Sequence, residues 1–154
     1  KTLAAPLAFV AVLVVACGKP SEAPTGTLTE AAPQSPVDFY LYYHARSAAG
    51  MSFEEDVTYH SSRAVADVDG KIQSMMERTG KSRDEVIQLY LDLSQGAAHC
   101  TTLTLLDERI EGDKAYLEFD TDNTCPEEQS DISKHRVKLV KEDGWKLDEV
   151  EIVL

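Results

Sequence analysis

The chain has 154 residues, 43% of them hydrophobic and 27% charged, with three cysteines and a formal net charge of -12. These proportions fit one ordinary globular domain plus some additional chain, and they exclude collagen, coiled coil and full disorder. So acidic a surface repels a phosphate backbone, which excludes nucleic acid as a partner and disfavours acidic partners in general.

In chain order, residues 1–16 hold one lysine at the start and then the apolar run Leu7 to Ala16. That run of about ten residues falls short of the roughly 20 that a membrane span requires, and it reads as the apolar centre of an export signal. It ends in Val14-Val15-Ala16-Cys17. This resembles the lipobox of bacterial lipoproteins, in which a small residue precedes a cysteine that is lipidated and becomes the new N-terminus. The resemblance implies Cys17 as the lipidation site and a lipid-anchored place in the bacterial cell envelope. With Gly18 rather than Asp after the cysteine, it implies the outer membrane, facing the periplasm. An acidic body gains nothing from anionic headgroups, so the acyl chains supply the membrane affinity. The following GKPSEAPTGTLTEAAPQ has almost no large apolar side chains and reads as a disordered tether. The expected organisation is therefore a signal peptide over 1–16, the lipidated cysteine and tether over 17–34, and a folded domain over 35–154.

Four helical segments come first in that domain. Ser35-Pro36 is an N-cap followed by proline at the first helical position, with Asp38 three residues after the cap. Val37, Tyr40, Leu41, His44 and Ala48 then share a face, and Gly50 closes the helix. Ser52-Phe53-Glu54-Glu55 has capping-box spacing and opens a short helix to about Tyr59. A third helix runs from about Arg63 to Thr79 with Val65, Val68, Ile72, Met75 and Thr79 in a stripe, Gly70 weakening its centre and Gly80 as C-cap. Ser82-Arg83-Asp84-Glu85 is a second capping box. The stripe Val86, Leu89, Tyr90 and Leu93 follows, and Gly96 is expected to end the helix.

After Ala98 the spacing changes to alternation, and strands are expected over 100–110, 115–121, 134–141 and 145–154. Ala115, Leu117 and Phe119 point one way while Tyr116, Glu118 and Asp120 point the other, as in a sheet with one buried face. A two-residue turn at Asp143-Gly144 places Lys138 against Glu149, Arg136 against Glu151 and Val137 against Val150, with charges and apolar groups matched. A two-residue turn at Gly112-Asp113 pairs Glu111 with Lys114 and, counting outward, Cys100 with Cys125. A disulfide between Cys100 and Cys125 is therefore expected in an oxidising compartment.

Helices followed by an antiparallel meander ending in GWKLDEVEIVL resemble the NTF2-like, or cystatin-like, α+β fold, in which a curved four-stranded sheet wraps N-terminal helices into a cone. The residues carrying the likeness are the alternating strand from Ala115, Val137-Lys138-Leu139-Val140 and Gly144-Trp145-Lys146-Leu147. With the lipobox and tether, the chain is similar to the small DUF4878-type lipoproteins. An early strand pair found in larger members of the fold is missing unless Val57 to His60 is a short strand. The resemblance also admits a homodimer through the sheet face.

The four histidines, His44, His60, His99 and His135, lack zinc-motif spacing, so no metal site is expected. Asp120-Thr121-Asp122-Asn123-Thr124 begins like a calcium loop, but Cys125 stands where the turn needs glycine and Asp131 replaces the bidentate Glu, so a solvated acidic loop is expected. No phosphate loop or nucleophile motif is present, and no cofactor is expected. Phe39-Tyr40-Leu41-Tyr42-Tyr43-His44 concentrates aromatics in the first helix. Tyr40, Tyr43 and Trp145 are expected to line the core or a pocket, with Asp120 and Asp148 facing outward. The leading expectation is a non-enzymatic, membrane-anchored lipoprotein that binds a small ligand or protein partner. The alternatives are a cavity enzyme like ketosteroid isomerase or SnoaL, using a Tyr donor and a carboxylate base, and an acidic inhibitor or immunity-like protein.

Overall fold

The computed structural model describes residues 35–125 and 134–153; the export-signal segment, Cys17, the tether and residues 126–133 lie outside the described residues. Within them the elements are α1 (Pro36–Ala49), α2 (Phe53–Tyr59), α3 (Ser62–Thr79), α4 (Arg83–His99), β1 (Thr101–Glu111), β2 (Lys114–Asn123), β3 (Lys134–Lys141) and β4 (Trp145–Val153). Each helix starts at a serine because its first N–H groups have no partner inside the helix. The hydroxyls of Ser35, Ser52, Ser61 and Ser82 accept from the amides of Asp38, Glu55, Ala64 and Glu85 at 3.0, 3.2, 3.1 and 3.3 Å. At Ser82 the box closes both ways, the Glu85 carboxylate accepting from the Ser82 amide at 2.8 Å.

Two helical expectations are corrected. Gly96 does not end α4, which keeps a helical backbone on to His99 and buries Ala98, so packing outweighs the glycine's unfavourable propensity. On α1 the buried face is Phe39, Tyr40 and Ser47, while Leu41 is 39% exposed, because Phe39 faces the sheet and Leu41 turns away.

The strands form one open antiparallel sheet in the order β1-β2-β3-β4, and the helices pack on its curved face, giving an α+β fold. The core lies between α1 and the inward residues of β2, β3 and β4: Phe39 and Tyr40 meet Ala115, Leu117, Phe119, Val137, Leu139 and Leu147. Around this core α1 packs on α4, α3 on α4, and α1, α2 and α3 all reach β4. Instead of an early strand, Val57 to Tyr59 is helical and His60 makes a single parallel bridge to Leu147. The amide of Ser61 donates to the Leu147 carbonyl at 2.8 Å. Asp120 to Asn123 belongs to β2 rather than to an acidic loop, and Asp131 lies outside the described residues.

Both outer hairpins carry a β-bulge, which adds one residue to one strand and turns a side chain out of alternation. In β1 the extra residue is Leu106, so Thr101 opposes Asn123 and the Cys100 carbonyl accepts from the Thr124 amide at 2.8 Å. Cys100 and Cys125 are joined in a disulfide with Cα atoms 5.1 Å apart, across a register one residue off direct opposition. In the last hairpin Lys141, not Glu142, is the residue opposite Trp145, so the loop is Glu142-Asp143-Gly144, with Gly144 at a φ of 141° that favours glycine. A bulge at Asp148 then restores the pairs Lys138 with Glu149, Val137 with Val150 and Arg136 with Glu151.

Candidate functional site

Tyr40, Tyr43, His44 and Ser47 follow the i, i+3, i+4, i+7 spacing that puts side chains on one helix face. Together they form one wall of an open cavity of about 680 Å³, completed by α3, α4, β3 and β4. Its volume lies within the roughly 300–1,000 Å³ of small-molecule sites. The α4 stripe, expected as core, divides here. Val86 is buried, but Leu89 and Leu93 are 39% and 66% exposed along the cavity, opposite Val150 and Ile152, which are 38% and 51% exposed. These stretches of the wall are therefore apolar and uncovered.

Two polar clusters of the cavity are built on its tyrosines, and Arg63, Asp67, Lys71, Asp148 and Glu149 line it as well. At the first, the Tyr40 hydroxyl lies 3.2 Å from His135 Nδ1. His44, one turn along from Tyr40, has a buried Nε2 with no hydrogen-bond partner. Burial, with the neighbouring His135 adding to it, lowers the His44 imidazole below its ordinary value, and burial alone lowers His135. Both rings are thus biased toward the neutral form. Burial also raises the Tyr40 phenol, which stays protonated.

At the second, Asp56 of α2 is 3% exposed. The hydroxyls of Tyr43 and Tyr90 donate to its two carboxyl oxygens at 3.2 and 2.9 Å. Burial first, and Asp56 second, push both phenols upward, so each keeps the proton it donates. His60 closes this corner, its Nδ1 2.9 Å from the Asp56 carbonyl oxygen and 3.8 Å from the carboxylate, with Tyr43 packed edge-on at 5.7 Å. Tyr43, Tyr90 and His60 line the main cavity, whereas Asp56 lies behind them on the wall of a smaller concavity of about 560 Å³ that also includes Glu54, Glu55 and Asp84.

A third buried group corrects the sequence reading. Asp148 does not alternate outward: as the bulge residue of β4 it is 6% exposed. Ser61 Oγ and Arg63 Nε donate to Oδ1 at 2.8 Å each, Lys138 Nζ meets Oδ2 at 2.8 Å, and Arg63 also donates to the Asp148 carbonyl oxygen. Burial raises its pKa, but the hydrogen bonds from Arg63, Lys138 and Ser61 outweigh that and hold the carboxyl well below the usual range. Ser61 caps α3, so this network pins the start of α3 to the sheet.

Of the expected pocket residues, Tyr40 and Tyr43 line the cavity, but Trp145 does not. Trp145 opens β4 beside the last turn, packed at the margin of the core with Lys141 Nζ 5.6 Å above its ring. Asp38 is exposed and occupied in the α1 cap, where Ser35 Oγ donates to it at 2.7 Å, so the acid near the tyrosines is Asp56. Cys17 lies outside the described residues. Asp56, Tyr90 and the convergence of His44, His60 and His135 were not foreseen. The one readable signal was that His135 shares the inward register of Val137 and Leu139. Among the described residues no three His, Cys, Asp or Glu side chains come close enough together to hold a metal ion. Compared with family models, curated proteins and solved structures, the chain matches none of them.

Proposed function

We propose that this chain is a non-enzymatic envelope lipoprotein, anchored through Cys17, whose NTF2-like α+β domain binds a small, largely apolar ligand between α1, α3, α4 and the sheet. The observation that carries this reading is the cavity of about 680 Å³ with Leu89, Leu93, Val150 and Ile152 left exposed around it. Large apolar groups are normally covered in a folded core, and several grouped around one concavity favour a guest that removes them from water. The test is a fluorescence titration of the full chain, carrying Cys17→Ser to prevent acylation, with the neutral apolar dye N-phenyl-naphthylamine. Saturable binding of one dye per chain is expected. Ala97→Trp, which places bulk against the cavity from an exposed position on α4, should abolish it.

A second reading, a cavity enzyme, is favoured by one observation: two tyrosines within hydrogen-bond reach of a buried carboxylate, beside three cavity histidines. Against it, both phenol protons are already directed at Asp56, and the carboxylate sits behind the cavity wall.

A further inference from the structure

The outer edges of the sheet, β4 and β1, are closed to different degrees. On β4 the Ser61 amide donates to the Leu147 carbonyl at 2.8 Å, His60 bridges to the same residue, and Lys146, Asp148, Glu149 and Glu151 charge the strand. Charges, bulges and covering segments are what keep a sheet edge from pairing with another chain. On β1 the bulge at Leu106 and the charges of Asp107, Glu108, Arg109 and Glu111 protect only the second half. Thr101 to Leu106 carries no charged side chain, and no described residue pairs with its outer side.

Along an antiparallel strand, successive residues point their backbone N–H and C=O groups alternately to one side and the other. The Cys100 carbonyl accepts from the Thr124 amide, so Cys100, Thr102 and Thr104 face β2, while Thr101, Leu103 and Leu105 present their backbone groups at the open edge. We infer that Thr101 to Leu105 is a docking edge for a second copy of this chain, paired antiparallel about a two-fold axis at Leu103 so that two sheets join into one. In that register Leu103 exchanges hydrogen bonds with the second copy's Leu103, and Thr101 with the second copy's Leu105. Thr102 then stands beside the second copy's Thr104. A two-fold contact must be self-complementary, and here leucine meets leucine and threonine meets threonine across the axis. Charge selects the same span, because copies with a net charge of -12 repel wherever charged surfaces meet, and this stretch has none.

So short a paired edge lies below the area of a standard interface, so the Cys17→Ser chain should be largely dimeric only near about 1 mM and monomeric near about 10 μM. Sedimentation over that range tests the association, and amide NMR locates it. On concentration the Leu103 and Leu105 amide protons should move downfield as they gain acceptors, while Ile110, on the same strand beyond the bulge, stays in place. Leu105→Pro removes an N–H from the open edge and leaves the bonds to β2 intact, so it should weaken association about tenfold or more. Thr104→Glu, at an exposed position, introduces a charge into the span and should weaken it as well. The amide pattern of the parent chain is read without either variant. A chain that stays monomeric at about 1 mM would overturn the docking edge. So would a dimer whose shifts fall at Leu93 and Ile152 and not at Leu103 and Leu105.

Discussion

Among the described residues two carboxylates are buried, Asp56 and Asp148, and they are surrounded in opposite ways. Asp148 meets two cations and a hydroxyl, at a bulge that joins the start of α3 to β4. Asp56 meets two neutral phenols, and the nearest ionisable nitrogen, on His60, is 3.8 Å away. Charge-assisted hydrogen bonds are stronger than neutral ones, so the first arrangement serves rigidity. The second holds Tyr43 and Tyr90 in place as cavity walls from behind, through neutral donors in place of an ion pair. The difference separates an anchor from a lining.

Breaking the anchor should have the largest effect. Asp148→Ala is expected to lower unfolding stability in urea by about 2–4 kcal/mol, a range that discounts Arg63 and Lys138 for their access to solvent. Asp56→Asn keeps one acceptor oxygen and the shape of the group, so the loss should be about 1–3 kcal/mol, with dye affinity reduced as Tyr43 or Tyr90 is released. An equal loss at both positions, with dye binding untouched, would erase the distinction.

Acid should separate the regions along the pH axis. The Asp148 carboxyl is held below its ordinary value in the folded state, so its contribution is full above roughly pH 3.9 and is lost as pH falls through the depressed folded value. His44 and His135 are also lowered, but as bases: the unfolded chain takes up protons first, and stability begins to fall as pH drops below roughly 6.5. Urea midpoints from pH 8 to pH 3 should therefore decline in two stages, and His44→Gln should flatten only the upper one. The smallest effect belongs to Tyr90→Phe, which removes one of the two donors to Asp56 and should cost about 1 kcal/mol in the same urea assay.

What the sequence made legible was local. Ser82 and Glu85 are three residues apart and cap a helix wherever it packs, and the alternation of Ala115, Leu117 and Phe119 shows a one-sided strand. The bulges at Leu106 and Asp148 depend on the partner strand, which is why the disulfide partners could be named while their register was off by one, and why Asp148 was expected outside. Glu54, Glu55 and Asp56 are three acids in a row, and nothing local says which one is buried. Asp56 is selected by Tyr43 and Tyr90, respectively 13 and 34 residues distant. The cavity histidines come from a helix interior, a helix end and a strand, so no spacing rule could gather them.

Among the described residues, exposed large apolar side chains group on the cavity wall and on the edge strand β1, where Leu105, Leu106 and Ile110 are 41%, 50% and 53% exposed, with Leu41 standing apart from both on α1. The most direct test is methyl NMR of the Cys17→Ser chain during titration with N-phenyl-naphthylamine. Ligand binding in the cavity predicts shifts at Leu89, Leu93, Val150 and Ile152 with Leu105, Leu106 and Ile110 unmoved; shifts confined to the β1 residues would contradict it.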